Sequence, residues 1–430
     1  MLSSADAQAP VEAASGVGAA EDRLPLHRVL FAITGIYLVQ SLIGGFTFQG
    51  IPAALRSSGA SLEVIGLFSL VIVPWALKFL WAPAIERYRL PFGAPRRSRH
   101  IVAITQGIAA ACILAIAFVG PQSAWLLLAL LCALACTAAT ADIACDGYAI
   151  QQLTPKNRGW GNTAQVGGGY LGMVFGGGLF LVILGTYGWL AAGLAMTCLL
   201  VLFTVPFLAT PEPRPDESDG VGKRHTPSLR FAFARREVRY GLLIAVIFEL
   251  GVRLVQSMNT TFLIDRGFDL VDLGLLKGSG AVISGVAGTF LGGLAVRLWG
   301  ARTCVIIAAA LQAGALLTLF AATIIVASPL WLLGAITIAK SAVMAFGFVS
   351  LYSLLMGFSS LRQAGVDFTL FQCADALVAG LAGFGSGIIA QRLGYPVCFG
   401  LAAAFGLAAC FAMSPLIRRA DGTATPGVYA

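Results

Sequence analysis

Hydrophobic and polar positions alternate on the scale of whole segments along this chain. Apolar runs recur near residues 28–50, 62–84, 100–119, 123–150, 160–184 and 188–209. A second series follows near 238–262, 271–296, 302–326, 330–357, 363–390 and 395–416. Each is close to the ~20 residues that a helix needs to cross a hydrocarbon core. The pattern predicts an all-α integral membrane protein of twelve spans in two sets of six. The stretch between the sets is Pro-rich and charged, as a linker is. The expected organisation is a disordered cytoplasmic tail over 1–26, a six-helix half over 27–209, a cytoplasmic linker over 210–237, a second half over 238–417 and a tail over 418–430.

Composition removes the soluble alternative. Hydrophobic residues make up 58% of the chain and charged ones 11%, with a mean hydropathy of +0.86. Soluble domains carry roughly 25% charged residues, so lipid has to be the missing solvent. The first 26 residues carry Asp6, Glu12, Glu21 and Asp22 and no apolar run of the kind a signal peptide needs. The formal net charge of +8 is a topology signal and not a nucleic-acid footprint. Arg87, Arg89, Arg96, Arg97, Arg99, Arg158, Arg235, Arg297, Arg302, Arg362 and Arg418 fall on one side of the predicted spans, while the opposite loops hold only Arg56, Arg266, Lys277 and Arg392. The positive-inside rule then puts both termini and the linker in the cytoplasm. The nine cysteines lie in apolar runs without a CxxC pair. They read as packing residues, and neither a metal site nor a cofactor is expected.

Six plus six spans suggest a duplication. Leu38-Val39-Gln40-Ser41 in span 1 is repeated as Leu254-Val255-Gln256-Ser257 in span 7. Ile65-Gly66-Leu67 before span 2 answers Leu273-Gly274-Leu275 before span 8, Tyr148 answers Tyr352, and Arg158 and Gly161 answer Arg362 and Gly365.

Charges within the spans are the strongest functional signal, because an ionised side chain in the bilayer needs a partner or a wet cavity. They are Lys78, Asp142, Asp146, Glu249, Arg253, Lys340, Asp367 and Asp375. At a rise of about 1.5 Å per residue, Lys340, Glu249 and Asp375 fall near the midplane, and Asp146 and Asp367 near the cytoplasmic surface. Lys340 has no acidic partner within one turn of its own helix, so an anionic substrate group or Asp142 is expected to meet it. Asp142 and Asp146 share a helix face; they read either as proton carriers or as a latch to Arg87, Arg96 or Arg97. Glu249 and Arg253 either pair with each other at i,i+4 or serve substrate and protons. Lys78 is expected to snorkel at the cytoplasmic end. The candidate sites are therefore Lys340, Gln40, Gln256, Asn259 and Arg253 for substrate, and Asp142, Glu249 and Asp375 for protons. Glu86, Arg87, Asp146, Arg297 and Arg302 are the candidate gate. Glycines four apart, Gly168/Gly172/Gly176, Gly288/Gly292 and Gly383/Gly387, predict close helix packing.

The Glu86-Arg87 loop and its counterpart around Gly293, Arg297, Gly300 and Arg302 resemble the cytoplasmic loop signature of the major facilitator superfamily. Val296 stands where the second copy would carry its acid. Lys78-Phe79-Leu80-Trp81-Ala82-Pro83 and the Asp142-Ile143-Ala144-Cys145-Asp146 core resemble the muropeptide permease branch. Gly365-Val366-Asp367-Phe368-Thr369-Leu370-Phe371-Gln372 with Asp375 is similar to its siderophore permease subgroup. The resemblance implies a twelve-helix fold and uptake across the bacterial inner membrane by alternating access of two halves, driven by protons. The expected substrate is an anionic ferric chelate of the pyochelin type, carried by a monomer. Muropeptide import is the alternative, with drug–proton efflux or a membrane-embedded enzyme behind it. No Walker motif, HExxH or nucleophile elbow occurs in the chain, so no enzyme activity is expected.

Overall fold

The computed structural model describes residues 24–58, 68–92, 94–212, 225–268, 276, 280–325 and 329–421. Most of both expected tails, the centre of the linker, Lys277 and the Ile65-Gly66-Leu67 and Leu273-Gly274-Leu275 pair lie outside them, as does the side chain of Arg56. Every regular element among the described residues is helical. Helix α1 (Leu26–Gly45) runs through a widened π turn at Phe46–Gly50 into Ile51–Ser57. Short helices α2 (Val73–Leu77) and α3 (Ala82–Arg89) follow, then α4 (Ser98–Val119), α5 (Ala124–Gln152), α6 (Arg158–Met173) and α7 (Phe180–Ala209). After the linker come α8 (Leu229–Ala234), α9 (Arg236–Asp265), α10 (Ala281–Trp299), α11 (Ala301–Ile324), α12 (Leu330–Phe358) and α13 (Ala364–Asp421).

Among the described residues, eight helices are long and apolar enough to cross a membrane. Two physical features account for most of the difference from the twelve expected segments. Spans 5 and 6 join into one 55-residue helical stretch, and spans 11 and 12 into one of 57. Each joined stretch bends at a single glycine in the left-handed region, Gly188 (φ 84°) and Gly394 (φ 83°), a conformation that a side chain penalises. Span 2 is broken into 3-10 turns around Pro74 and Pro83, because proline withholds the N–H that the α ladder needs. Span 7 is continuously helical over the 30 residues Arg236–Asp265.

Large apolar side chains such as Phe118, Phe384 and Phe411 stand exposed on the outer faces, where lipid replaces water as the solvent. Inside, small residues set the spacing. A Cβ at Gly172 would sit 2.6 Å from Leu38 O, one at Gly176 just beyond α6 would sit 1.9 Å from Leu42 O, and one at Gly288 would sit 2.3 Å from Ala342 O. The α1–α6 and α10–α12 crossings are therefore backbone-close, the arrangement that small-xxx-small faces allow. Gly387 faces open space, so that part of the glycine prediction fails: nothing packs against it. Helices before and after the linker meet along α6 and α10, where Thr163 Oγ1 donates to Thr289 O (2.9 Å) and Trp160 lies against Phe290. They meet again where α13 crosses α2, α3 and α5.

Candidate functional site

Two buried polar clusters occupy the interior, each built around one cation and two carboxylates. In the first, the 3-10 turn at Lys78–Leu80 aims Lys78 inward, where it is 3% exposed. Its ammonium pairs with Asp142 of α5 and donates to Gln372 Oε1 of α13 (2.5 Å). One turn along α5, Asp146 is fully buried. Its Oδ1 accepts from Tyr37 Oη (2.8 Å) and Gln165 Nε2 (3.4 Å), while its Oδ2 has no partner. Lys78 thus ties α2 to α5 within the first group of helices and to α13 in the second.

The second cluster centres on Arg253 of α9. Its guanidinium forks onto Asp375 of α13, with Nη2 at 2.7 Å from both carboxylate oxygens and Nε at 3.2 Å from Oδ1. Tyr352 Oη donates to Asp375 Oδ2 (3.3 Å), Arg253 Nη1 donates to Gln256 Oε1 (3.0 Å), and the Phe348 ring lies beneath the guanidinium. Glu249, one turn earlier on α9, approaches Arg253 Nε to 3.2 Å, yet neither of its oxygens accepts a hydrogen bond. Gln372 and Asp375 are one turn apart on α13, so that single helix touches both clusters.

Below the first cluster a third network closes the end of the molecule that carries the basic loops. Glu86 and Arg89 of α3 are both fully buried and form a two-pronged pair at 2.7 Å. Arg89 Nη1 also donates to Gln151 Oε1 (2.9 Å), and Glu86 Oε1 accepts the Gly365 N–H (3.1 Å) from the first turn of α13. Asp367 is held by Arg235 (2.5 Å), Gln363 Nε2 (2.6 Å) and the Ser360 N–H (2.9 Å). The linker segment before α8 joins in: Pro227 O accepts from Arg87 Nε (3.0 Å) and the Ser228 N–H donates to Gln363 Oε1 (3.0 Å). Buried ion pairs of this kind add little net stability, but losing one partner strands a charge and is costly.

Several expected contacts are replaced. Lys78 does not snorkel: the broken helix turns it into the interior, where Asp142 neutralises it. Asp142 meets Lys78 and not Lys340 or a loop arginine. Asp146 is bonded by Tyr37 and Gln165 in place of Arg87, Arg96 or Arg97, since α5 carries it inside the bundle and away from the loop. Glu86 pairs with Arg89, whereas Arg87 points to the linker. Arg253 bonds mainly to Asp375 across to α13, not only to Glu249 on its own helix. Arg297 and Arg302 are exposed, and Lys340 is buried beside Val252, Gln312 and Met344. Gln40 and Asn259 each keep one buried amide atom without a partner. Sequence reasoning passed over Tyr37, Arg89, Gln165, Arg235, Gln363 and Gln372 as site residues. Two signals were present. Arg89 lies three residues after Glu86 on the same helix face. Tyr37 directly precedes the Leu-Val-Gln-Ser repeat, as Arg253 does in the second copy, and each bonds a buried carboxylate.

The Major Facilitator Superfamily profile matches residues 29–383. The anhydromuropeptide permease of Escherichia coli (strain K12) is 32% identical over 274 residues, which make up 60% of this chain and 54% of that protein. The chain thus spans about half the length of that curated relative. A protein of Haemophilus influenzae is 26% identical over 362 residues, covering 81% of this chain and 84% of its own length. Among solved structures, the proton:xylose symporter XylE superposes with a TM-score of 0.70 at 14% identity, over 91% of this chain and 96% of that one. At that identity the likeness concerns the fold.

Proposed function

The chain belongs to the Major Facilitator Superfamily, and from that premise we propose that it imports an anhydromuropeptide-type solute, an amino sugar bearing a peptide, together with protons. It is a multi-pass membrane protein related to transporters. The observation that carries the substrate reading is the 32% identity to the anhydromuropeptide permease. The interior agrees with an amide- and hydroxyl-rich solute. Gln40 Nε2, Gln165 Oε1 and Asn259 Oδ1 are buried without partners, and such groups cost free energy until something bonds them. The anionic ferric chelate favoured by the sequence is less well supported. Lys78 and Arg253 are already countered by carboxylates, so an incoming anion would have to displace them.

In this reading twelve crossings form two six-helix halves with both termini in the cytoplasm of a bacterial inner membrane. The halves rock about the interior clusters. The state described has its gate closed at the basic end, through Glu86–Arg89–Gly365 and Arg235–Asp367. Gln40, Gln256, Asn259, Arg253 and Lys340 face the solute during the cycle, and Asp142, Glu249 and Asp375 take part in proton coupling. The protein works as a monomer.

The test is uptake into right-side-out vesicles containing the full chain, with radiolabelled anhydromuropeptide and ferric pyochelin compared side by side. Accumulation of the muropeptide that needs an inward proton gradient and collapses with uncoupler is the expected result. Accumulation of the ferric chelate alone would reverse the substrate assignment. No gradient-dependent uptake of either would refute the reading.

A further inference from the structure

We infer that Asp146 is the side chain that holds the transported proton in the first cluster, and that Lys78 and Gln372 carry its charge state to the contact between the two groups of helices. The inference rests on the proton-coupled reading above and adds a residue and a route to it.

Asp142 is occupied by the Lys78 ammonium. The neighbours of Asp146 are Tyr37, which donates to Oδ1, Gln165 and Gln372, with Asp142, Cys145, Lys78 and Tyr352 within electrostatic reach. Among the described residues, Lys78 is therefore the one cation facing the two carboxylates, and its direct bond goes to Asp142. Asp146 Oδ2 is fully buried and unpartnered, whereas Oδ1 is already saturated by donors. A proton arriving at this carboxylate has one place to bind. It adds to Oδ2 to give the neutral acid, with Tyr37 still donating to Oδ1, and no other bond is made or broken.

The consequence follows from charge balance. With Asp146 ionised, the group Lys78–Asp142–Asp146 carries one excess negative charge, which is expensive to seal away from water. With Asp146 protonated, the group is neutral. Helices on the outer side can then close over it, and the basic end can open. That opening pulls α13 away from α2, so the Lys78–Gln372 bond (2.5 Å) and the Glu86–Gly365 bond must break in the same movement. When the proton leaves to the cytoplasm, the excess charge returns and again opposes sealing of the group away from water. Tyr37 and Gln165 position Asp146, and Gln372 senses Lys78.

The assay uses purified full-length protein in liposomes with radiolabelled anhydromuropeptide, in two modes. Accumulation is driven by a potential of about 100 mV, which supports roughly fiftyfold concentration per proton. Counterflow between equal concentrations needs no net proton movement. For Asp146→Asn the expected result is that accumulation falls from that level to equilibration, while counterflow persists and loses the pH dependence seen in the wild type. Asp146→Glu, which restores a carboxyl group, is expected to recover accumulation with a displaced pH profile. Wild-type accumulation by Asp146→Asn would overturn the inference. So would loss of counterflow together with accumulation, which would assign Asp146 to solute passage. If the Asn variant does not fold, the Glu variant decides: a displaced profile supports the assignment and an unchanged one removes it. A wild type that never accumulates solute would instead refute the functional reading, and the inference with it.

Discussion

Gly365→Ala tests the proposed gate with a single methyl group. Gly365 is the second residue of α13, and its N–H bonds Glu86 Oε1 across the gate. A Cβ there would lie 2.6 Å from Glu86 Oε2 and 2.8 Å from Ile143 O. Neither neighbour can yield. Glu86 is clamped by two 2.7 Å bonds from Arg89, and Ile143 O belongs to the backbone of α5. Overpacking of this kind costs about 1–3 kcal/mol, and the cost exists only while α13 touches α3 and α5. The equilibrium between gate-closed and gate-open states should therefore move about 5- to 150-fold toward opening. Nitroxides at the exposed positions Tyr88 and Leu361, in a cysteine-free background, would report this by double electron–electron resonance as a growing long-distance population. Gly380→Ala on the same helix is the control, because nothing lies within 4 Å of its added methyl. An unchanged distance distribution in folded Gly365→Ala, or an equal shift in Gly380→Ala, would refute the reasoning.

Three further outcomes are expected. Lys78→Met strands the buried Asp142 carboxylate and should cost about 3–5 kcal/mol, seen as a lower melting temperature in detergent; adding Asp142→Leu should recover most of the loss. Gly176→Ala, aimed at Leu42 O, should destabilise the protein by about 1–3 kcal/mol in the same assay, whereas Gly178→Ala, which meets nothing within 4 Å, should be neutral. Arg253→Lys keeps the charge but loses the fork on Asp375. Losing a charged hydrogen bond worth about 1.5–3 kcal/mol, it should lower vesicle uptake at least tenfold, with melting temperature changed far less.

The helical class and most segment positions were legible because hydrophobic runs report lipid burial directly. Bends at Gly188 and Gly394 were not, since a glycine between apolar runs is equally compatible with a loop or a kink. The interior charges were legible as a set, because any charge in a long apolar run demands explanation. Their pairing was not, because partners such as Lys78 and Asp142 or Arg253 and Asp375 are distant in sequence and depend on how helices rotate toward one another. The Lys78 error has a specific cause: its depth was counted along an unbroken helix, while Pro74 and Pro83 bend the real one. Tyr37 escaped because a tyrosine in an apolar run is unremarkable until its hydroxyl is seen to find a carboxylate.

In the proposed proton-coupled cycle, the anchoring of α13 bears on how faithfully solute and protons move together. Gly365, Asp367, Gln372 and Asp375 lie within eleven residues of one continuous helix, about 15 Å of rigid rod. Each holds a different neighbour: α3, Arg235 beside α9, Lys78 and Arg253. A rod anchored at four points along its length cannot release one anchor by any large motion without straining the others. In the proposed cycle the movement is therefore all-or-none, and half-open states in which protons could slip through unaccompanied by solute are the ones this helix makes most costly.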